Sequence, residues 1–164
     1  MEVSLVPWSP HDLGVLERAN TPEMTRHLGG PETDEQVRAR HERYLRDRET
    51  GASHMFRIDV DGHTVGGIGY WPIEFDGEPA YEAGWSVEPA WQGRGVATEA
   101  LRHLVERVTA AGDRRLLVAF PWPANAASNA MCRRAGFELR GTSSGPWRGQ
   151  DVTYNNWVLD LGAE

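Results

Sequence analysis

The stretch Val87-Glu88-Pro89-Ala90-Trp91-Gln92-Gly93-Arg94-Gly95-Val96-Ala97 carries the densest chemistry in the sequence. Two glycines one residue apart permit dihedrals closed to other residues and let a ligand approach the backbone closely. The pattern predicts a strand before them and a helix after them. The first-turn amides of a helix have no intrahelical acceptor. Glycine turn and helix start together make a nest of N–H donors suited to a phosphate or pyrophosphate. Arg94 offers a charged donor beside it. Two familiar phosphate motifs do not fit: a Walker A loop needs Lys followed by Ser or Thr, and a dinucleotide fingerprint needs a third glycine where Thr98 stands. The competing reading is a glycine-rich turn that binds nothing.

A second feature is Glu82, inside Tyr81-Glu82-Ala83-Gly84-Trp85-Ser86-Val87. Strand alternation puts Glu82, Gly84 and Ser86 on one side and Tyr81, Ala83, Trp85 and Val87 on the other. A glutamate enclosed by aromatic rings acquires a raised pKa useful for proton transfer; the alternative is a solvated strand face. Trp85, Trp91, Trp122 and Trp147 fall near the edges of such a site, while Trp8, Trp71 and Trp157 are more dispersed. Aromatic rings with the carboxylates of Glu74, Asp76, Glu78 and Glu82 suit a cationic amine. The lone cysteine, Cys132, sits in a short amphipathic pattern where a thiol is usually a small hydrophobe. The six histidines show no metal-ligand spacing and there is no CxxC pair, so no metal site is expected.

These residues need a scaffold. Residues 2–6 read as an opening strand, and Ser9-Pro10-His11-Asp12 as a capped helix start. Thr21-Pro22-Glu23 reads as the start of a second short helix, broken at Gly29-Gly30-Pro31. Thr33 and Gln36 have the spacing of a capping box for a charged surface helix. Strands are expected over about 54–60 and 64–71, joined by Asp61-Gly62, then a turn-rich loop over 74–79 and a strand over about 80–87. The clearest helical period runs over about 95–110. Residues 115–120 form an apolar run expected of a buried strand. A helix over about 125–135 ends at Gly136, and two strands, about 137–143 and 151–160, close with a wide connection through Pro146 to Gly149. The 164 residues fit one domain, 1–164. One cysteine excludes a disulfide scaffold. The net charge of −7 argues against a nucleic-acid binder and suits a cationic acceptor slightly. With no apolar run of membrane length and no signal-peptide pattern, no membrane partner is expected and a cytoplasmic location is.

The segment WQGRGVATEAL, with its core Gln92-Gly93-Arg94-Gly95-Val96-Ala97, resembles the acetyl-CoA signature of the GCN5-related N-acetyltransferase (GNAT) superfamily. It is most like the branch that includes the ribosomal-protein N-terminal acetyltransferases. Asn125-Ala126-Ala127-Ser128 and Gly136-Phe137 sit at the family's downstream spacing. The resemblance implies an α/β (α+β) fold: a mixed, largely antiparallel central sheet flanked by helices, with a splayed parallel strand pair at the cofactor site. It implies acetyl-CoA as cofactor, with its pantetheine arm along β-strand residues Trp85 to Val87 and at Asn125, with Ser128 nearby, and its pyrophosphate on the amides of Gln92, Gly93, Arg94, Gly95, Val96 and Ala97. It implies acetyl transfer to a primary amine, of a small molecule or a protein N-terminus, by direct attack in a ternary complex. Glu82 is then the candidate base and Ser128 a candidate proton donor. Cys132 stands where the family often has a tyrosine acid. The other reading is a non-catalytic acyl-CoA-binding or regulatory protein on the same scaffold. Relatives suggest a monomer or homodimer.

Overall fold

The computed structural model describes residues 1–162. Seven strands form one sheet in the order β1-β2-β3-β4-β5-β7-β6: β1 Val3–Pro7, β2 His54–Val60, β3 His63–Phe75, β4 Glu78–Val87, β5 Leu116–Ala119, β6 Glu138–Trp147 and β7 Gln150–Asp160. Every neighbouring pair is antiparallel except β4 and β5. That one pair is parallel and short. It has three rungs, Ala80 to Leu116, Tyr81 to Leu117 and Glu82 to Val118, after which the strands separate. The fold class expected from the resemblance is the one observed.

Four helices cover the sheet: α1 Leu13–Ala19, α2 Asp34–Thr50, α3 Val96–Ala111 and α4 Ala126–Arg134. Helix α3 buries Val96, Ala100, Leu101, Leu104 and Val108, the stripe its helical period dictates. With α4 it packs over Leu117 and Ala119 of β5, while Leu116 and Val118 enter a separate apolar cluster with Ala80 and Val158. Strand alternation thus supplies both clusters from one strand. Helices α1 and α2 enclose Trp8, whose indole N–H donates to His41 Nδ1 at 3.0 Å. Helix α2 is otherwise solvated, burying only Val37 and His41, and its capping box of Thr33 and Gln36 is formed.

Four expectations need correction. The turn-rich loop expected over 74–79 is instead a tight hairpin, with β3 running to Phe75 and β4 starting at Glu78 around Asp76-Gly77. Helix α1 begins at Leu13, not at the Ser9-Pro10 start. The buried Asp12 carboxylate accepts from Ser9 N (2.8 Å) and pairs with Arg57 (3.4 Å), which holds residues 9–12 in a turn. Residues 21–30 form consecutive turns rather than a helix. Asn20 and Glu32 exchange two 2.8 Å bonds that close this segment into a loop, and Gly29 and Gly30 take φ of 91° and 95°. The last two strands are joined tightly, not widely. Arg148 and Gly149 form a two-residue turn with φ of 51° and 79°, matching Asp61-Gly62 and Asp76-Gly77. Positive φ at both central positions is the turn geometry that follows strand twist.

Candidate active site

The phosphate nest is present as geometry. A short 3-10 turn, Pro89–Trp91, leads into Gly93 (φ 73°) and Gly95 (φ 80°), and α3 starts at once. Gln92 through Gly95 form a turn, but among the described residues the N–H groups of Gly93 through Thr98 donate no hydrogen bond of good geometry. The first to do so is Glu99, to Gly95 O at 3.0 Å. A Cβ placed on Gly93 or Gly95 meets nothing within 4 Å, so the ground in front of these amides is open. Val96 is buried, which leaves its backbone rather than its side chain facing a ligand. Ala97 packs partly against the core. Gln92, expected in the nest, does not offer its backbone amide outward: that N–H donates to Pro89 O at 3.2 Å, and its Nε2 donates to Val87 O at 2.8 Å and closes the turn. Arg94 lies over the Trp91 ring at 5.2 Å, which holds its guanidinium at the nest.

Beyond Glu82 the separation of β4 and β5 opens a cavity of about 380 Å³. Trp85 and Val87 pair with β3 on one side, at Ile68 and Gly66, and have no β5 partner on the other. Glu82 lines this cavity at the last shared rung. Burial pushes its carboxyl from the usual glutamate value of 4.5 up to about 7, opposed in part by the Trp71 indole, whose N–H donates to Glu82 Oε1 at 3.2 Å. Trp71 stands opposite Glu82 on β3. Its ring crosses Gly84 so closely that a Cβ there would sit 2.8 Å from the indole, so Gly84 is what allows this approach.

The far wall comes from the β5–α4 connection. Asn125 caps α4, accepting from Ser128 N at 3.2 Å. Ser128 Oγ accepts from Trp85 Nε1 at 3.2 Å, which leaves the hydroxyl proton free to donate elsewhere. Asn129 fixes the connection. Its Nδ2 donates to the carbonyls of Trp122 and Asn125, and its Oδ1 accepts from Asn155 and Trp157. Cys132 is fully buried, its thiol pushed up to about 12 by burial, and it does not line the cavity. It is a core residue.

Of the sequence candidates, the fold brings Glu82, Trp85, Asn125 and Ser128 to one cavity and Gln92 through Ala97 to the adjoining nest. Trp91 stays at the nest, 5.7 Å from the His63 ring, and is not part of the cavity wall. Glu74, Asp76 and Glu78 do not line it either; Glu78 pairs with Arg115 at 3.2 Å. Several lining residues escaped sequence reasoning. Trp71 is one. His27 and Leu28, from the loop read as a helix, are others, and so are Val152 and Tyr154 of β7. Trp147 at the hairpin end donates to Leu28 O (2.7 Å), and Arg148 donates to Gly30 O (2.8 Å). These two bonds tie the β6–β7 hairpin to the 21–30 loop.

The arrangement offers free amides for an anion, a strand edge for an extended arm, a carboxyl titrating near neutrality and an oriented hydroxyl. These features fit acetyl-CoA: the pyrophosphate needs the open nest, and the pantetheine amides need the edge of β4 that has no strand partner, of which Gln92 Nε2 takes Val87 O.

Residues 2–138 match the family described as Acetyltransferase (GNAT) domain. No curated protein matches the sequence. Among solved structures, an acetyltransferase from Salmonella typhimurium that modifies the N-terminal serine of 50S ribosomal subunit protein L7/L12 superposes with a TM-score of 0.83 at 21% identity. That alignment covers 96% of this chain and 94% of the other. The aminoglycoside acetyltransferase AAC(6')-Ib, in complex with coenzyme A, gives 0.81 at 21% identity, over 97% and 95%. The Microcin C7 self immunity acetyltransferase MccE, in complex with acetyl-CoA and AMP, gives 0.82 at 17% identity, over 97% and 92%. At these identities the likeness is one of fold.

Proposed function

Because this chain belongs to the acetyltransferase (GNAT) domain family, we propose that it is an acetyl-CoA-dependent N-acetyltransferase acting on a primary amine by direct attack in a ternary complex. The observation that supports this most is Glu82. It sits where β4 and β5 part, faces the cavity, and carries a carboxyl poised near 7. A base must be ionised at working pH yet basic enough to receive a proton, and a value near neutrality meets both demands. Acetyl-CoA supplies the thioester carbonyl that the amine attacks. The amides of Gly93 to Thr98 hold its pyrophosphate, with Arg94 adding charge at the rim. The edge of β4 from Trp85 to Val87, together with Asn125, holds the pantetheine arm. Glu82 takes the proton from the incoming ammonium. Ser128, its oxygen already occupied by the Trp85 N–H, turns its own proton outward to the leaving sulfur and is reprotonated by the second proton that the attacking nitrogen sheds as the amide forms.

The one sheet spanning Val3 to Asp160 supports reading residues 1–164 as a single domain of this kind. One relative of the fold acts on a protein N-terminus and another is named for aminoglycosides. Kinship with the ribosomal branch is therefore one option among several for the acceptor. A silent acyl-CoA binder has no need of a buried ionisable carboxyl in the cavity.

Thiol release from acetyl-CoA is measured with a panel of primary amines at pH 8, beside calorimetric titration with CoA. Amine-dependent release is expected. CoA binding with no release across the panel would leave the silent binder as the better reading.

A further inference from the structure

The cavity has a composition of its own. Beside the pantetheine edge at Trp85, it is lined by Trp71, Phe120, Trp122, Trp147 and Tyr154. Phe120 and Tyr154 meet edge to face at 5.4 Å. Among the lining residues Glu82 is the one carboxylate. A single carboxylate neutralises a single ammonium; a second ammonium in the same cavity would be buried without a counter-charge. The rim discourages a second cation further, because Arg148 lies over the Trp147 ring at 5.5 Å.

Several of the wall's polar atoms are committed: Trp71 N–H goes to Glu82, Trp85 N–H to Ser128, Trp147 N–H to Leu28 O, and Asn125 Oδ1 to Ser128 N. Those left for a guest, the Trp122 N–H, the Tyr154 hydroxyl, Asn125 Nδ2, the Ser128 proton and the His27 ring, are scattered between aromatic faces, too few to replace the water around a hydroxyl-rich sugar. Flat apolar faces make up most of the rest. They pair well with an aromatic body, and they attract the one ammonium that Glu82 receives.

Resting on the acetyl-transfer reading above, we infer that the acceptor is a monoamine carried on a flat apolar body, of the arylalkylamine type, rather than a polycation, an amino sugar or a peptide. The residues that select it are Trp147 and Trp122 at the outer wall, with Trp71 placed beside Glu82.

The test compares 2-phenylethylamine, n-butylamine, spermidine, kanamycin and a Ser-Ala-Ala peptide as acceptors of the full chain. Thiol release and calorimetric binding to the CoA-loaded protein are both read. Burying a ring should give 2-phenylethylamine an advantage of about 10- to 100-fold in kcat/KM over n-butylamine. Spermidine, kanamycin and the peptide should fall below both. Trp147→Ala should erase most of the ring advantage while CoA affinity holds. Trp147→Phe keeps a ring but loses the bond to Leu28, and should retain the preference.

Better turnover with spermidine, kanamycin or the peptide, with CoA binding intact, overturns the inference and leaves the acetyl-transfer reading standing. If CoA binds but nothing turns over, that reading falls, and binding alone then decides the pocket: 2-phenylethylamine tighter than spermidine supports the inference, and the reverse order overturns it.

Discussion

Replacing Glu82 with Gln should harm catalysis and help stability, and the second effect depends on pH in a calculable way. The carboxyl titrates at 4.5 in an ordinary setting and at about 7 in this fold. Between those values the folded protein holds a proton that the unfolded chain has released, so stability falls as pH rises. The contribution is fully present below pH 4.5 and is lost by the time pH passes about 7. With about 1.4 kcal/mol for each pH unit, the ionised carboxyl costs the fold up to about 3 kcal/mol. Gln keeps the shape and an oxygen for the Trp71 N–H but never ionises. Glu82→Gln should therefore melt several degrees above the parent at pH 8, since a domain of this size gains about 2–4 °C per kcal/mol. At pH 4 the two should nearly coincide. Thiol release should drop by about 10²- to 10⁴-fold, the range for losing a general base, with CoA affinity unchanged. Thermal melts at both pH values, calorimetry and the thiol assay read all three. A variant that melts lower than the parent at pH 8, or equally displaced at both pH values, would show that the ionised carboxyl carries no burial cost.

Trp71→Phe removes the donor that opposes the upward push on Glu82. For a hydrogen bond worth about 1 kcal/mol, the acid limb of the rate profile should move up by about 0.7 of a pH unit, a roughly fivefold loss at pH 6 that fades above pH 8. A pH-independent loss would mean that the indole serves only as packing. Gly95→Val forces a β-branched residue to φ 80° and fills the open ground before the amides; CoA affinity should fall by about tenfold or more and stability by about 1–2 kcal/mol. Gly95→Asn accepts the dihedral better, so lost CoA affinity with a preserved melting point would isolate the blocking effect; unchanged affinity in both variants refutes the nest. Cys132→Ala should leave kcat/KM unaltered and cost about 1 kcal/mol of stability, and the native thiol should resist a disulfide reagent until the protein unfolds.

Where the sequence was legible, one short-range cause set the outcome. Gly93 and Gly95 could be read because a left-handed pair ahead of an amphipathic helix admits few structures. Helix α3 and the capping box of α2 are likewise local. The acceptor wall was not local. Trp71 and Glu82 meet only because Asp76-Gly77 is a two-residue turn, which sets Phe75 against Glu78 and, counting back, Trp71 against Glu82. Reading 74–79 as an unspecified loop hid that register, though the Asp-Gly dipeptide was there to give it. Arg148-Gly149 had no such signal, because arginine is a poor choice at positive φ. Its side chain is held by the ring of the adjacent Trp147 and by Gly30 O, 118 residues away in sequence. The 21–30 loop was misread for a similar reason: its ends are held together by Asn20 and Glu32, side-chain bonds that periodicity does not register.

The tie between Trp147 and Leu28 has a consequence for how this protein can be re-engineered. The matched family region stops at residue 138, and Trp147, Val152 and Tyr154 all lie past it, on the hairpin that follows the cofactor half. That hairpin could be grafted as a cassette without touching the glycine turn or α3. A graft of the hairpin alone, however, would strand the carbonyls of Leu28 and Gly30 and release the loop they belong to. The exchangeable unit is thus two pieces of chain, 21–30 and 138–160 with Asn155 and Trp157 retained for Asn129, which would have to be transplanted together for a new acceptor preference to come with its own walls.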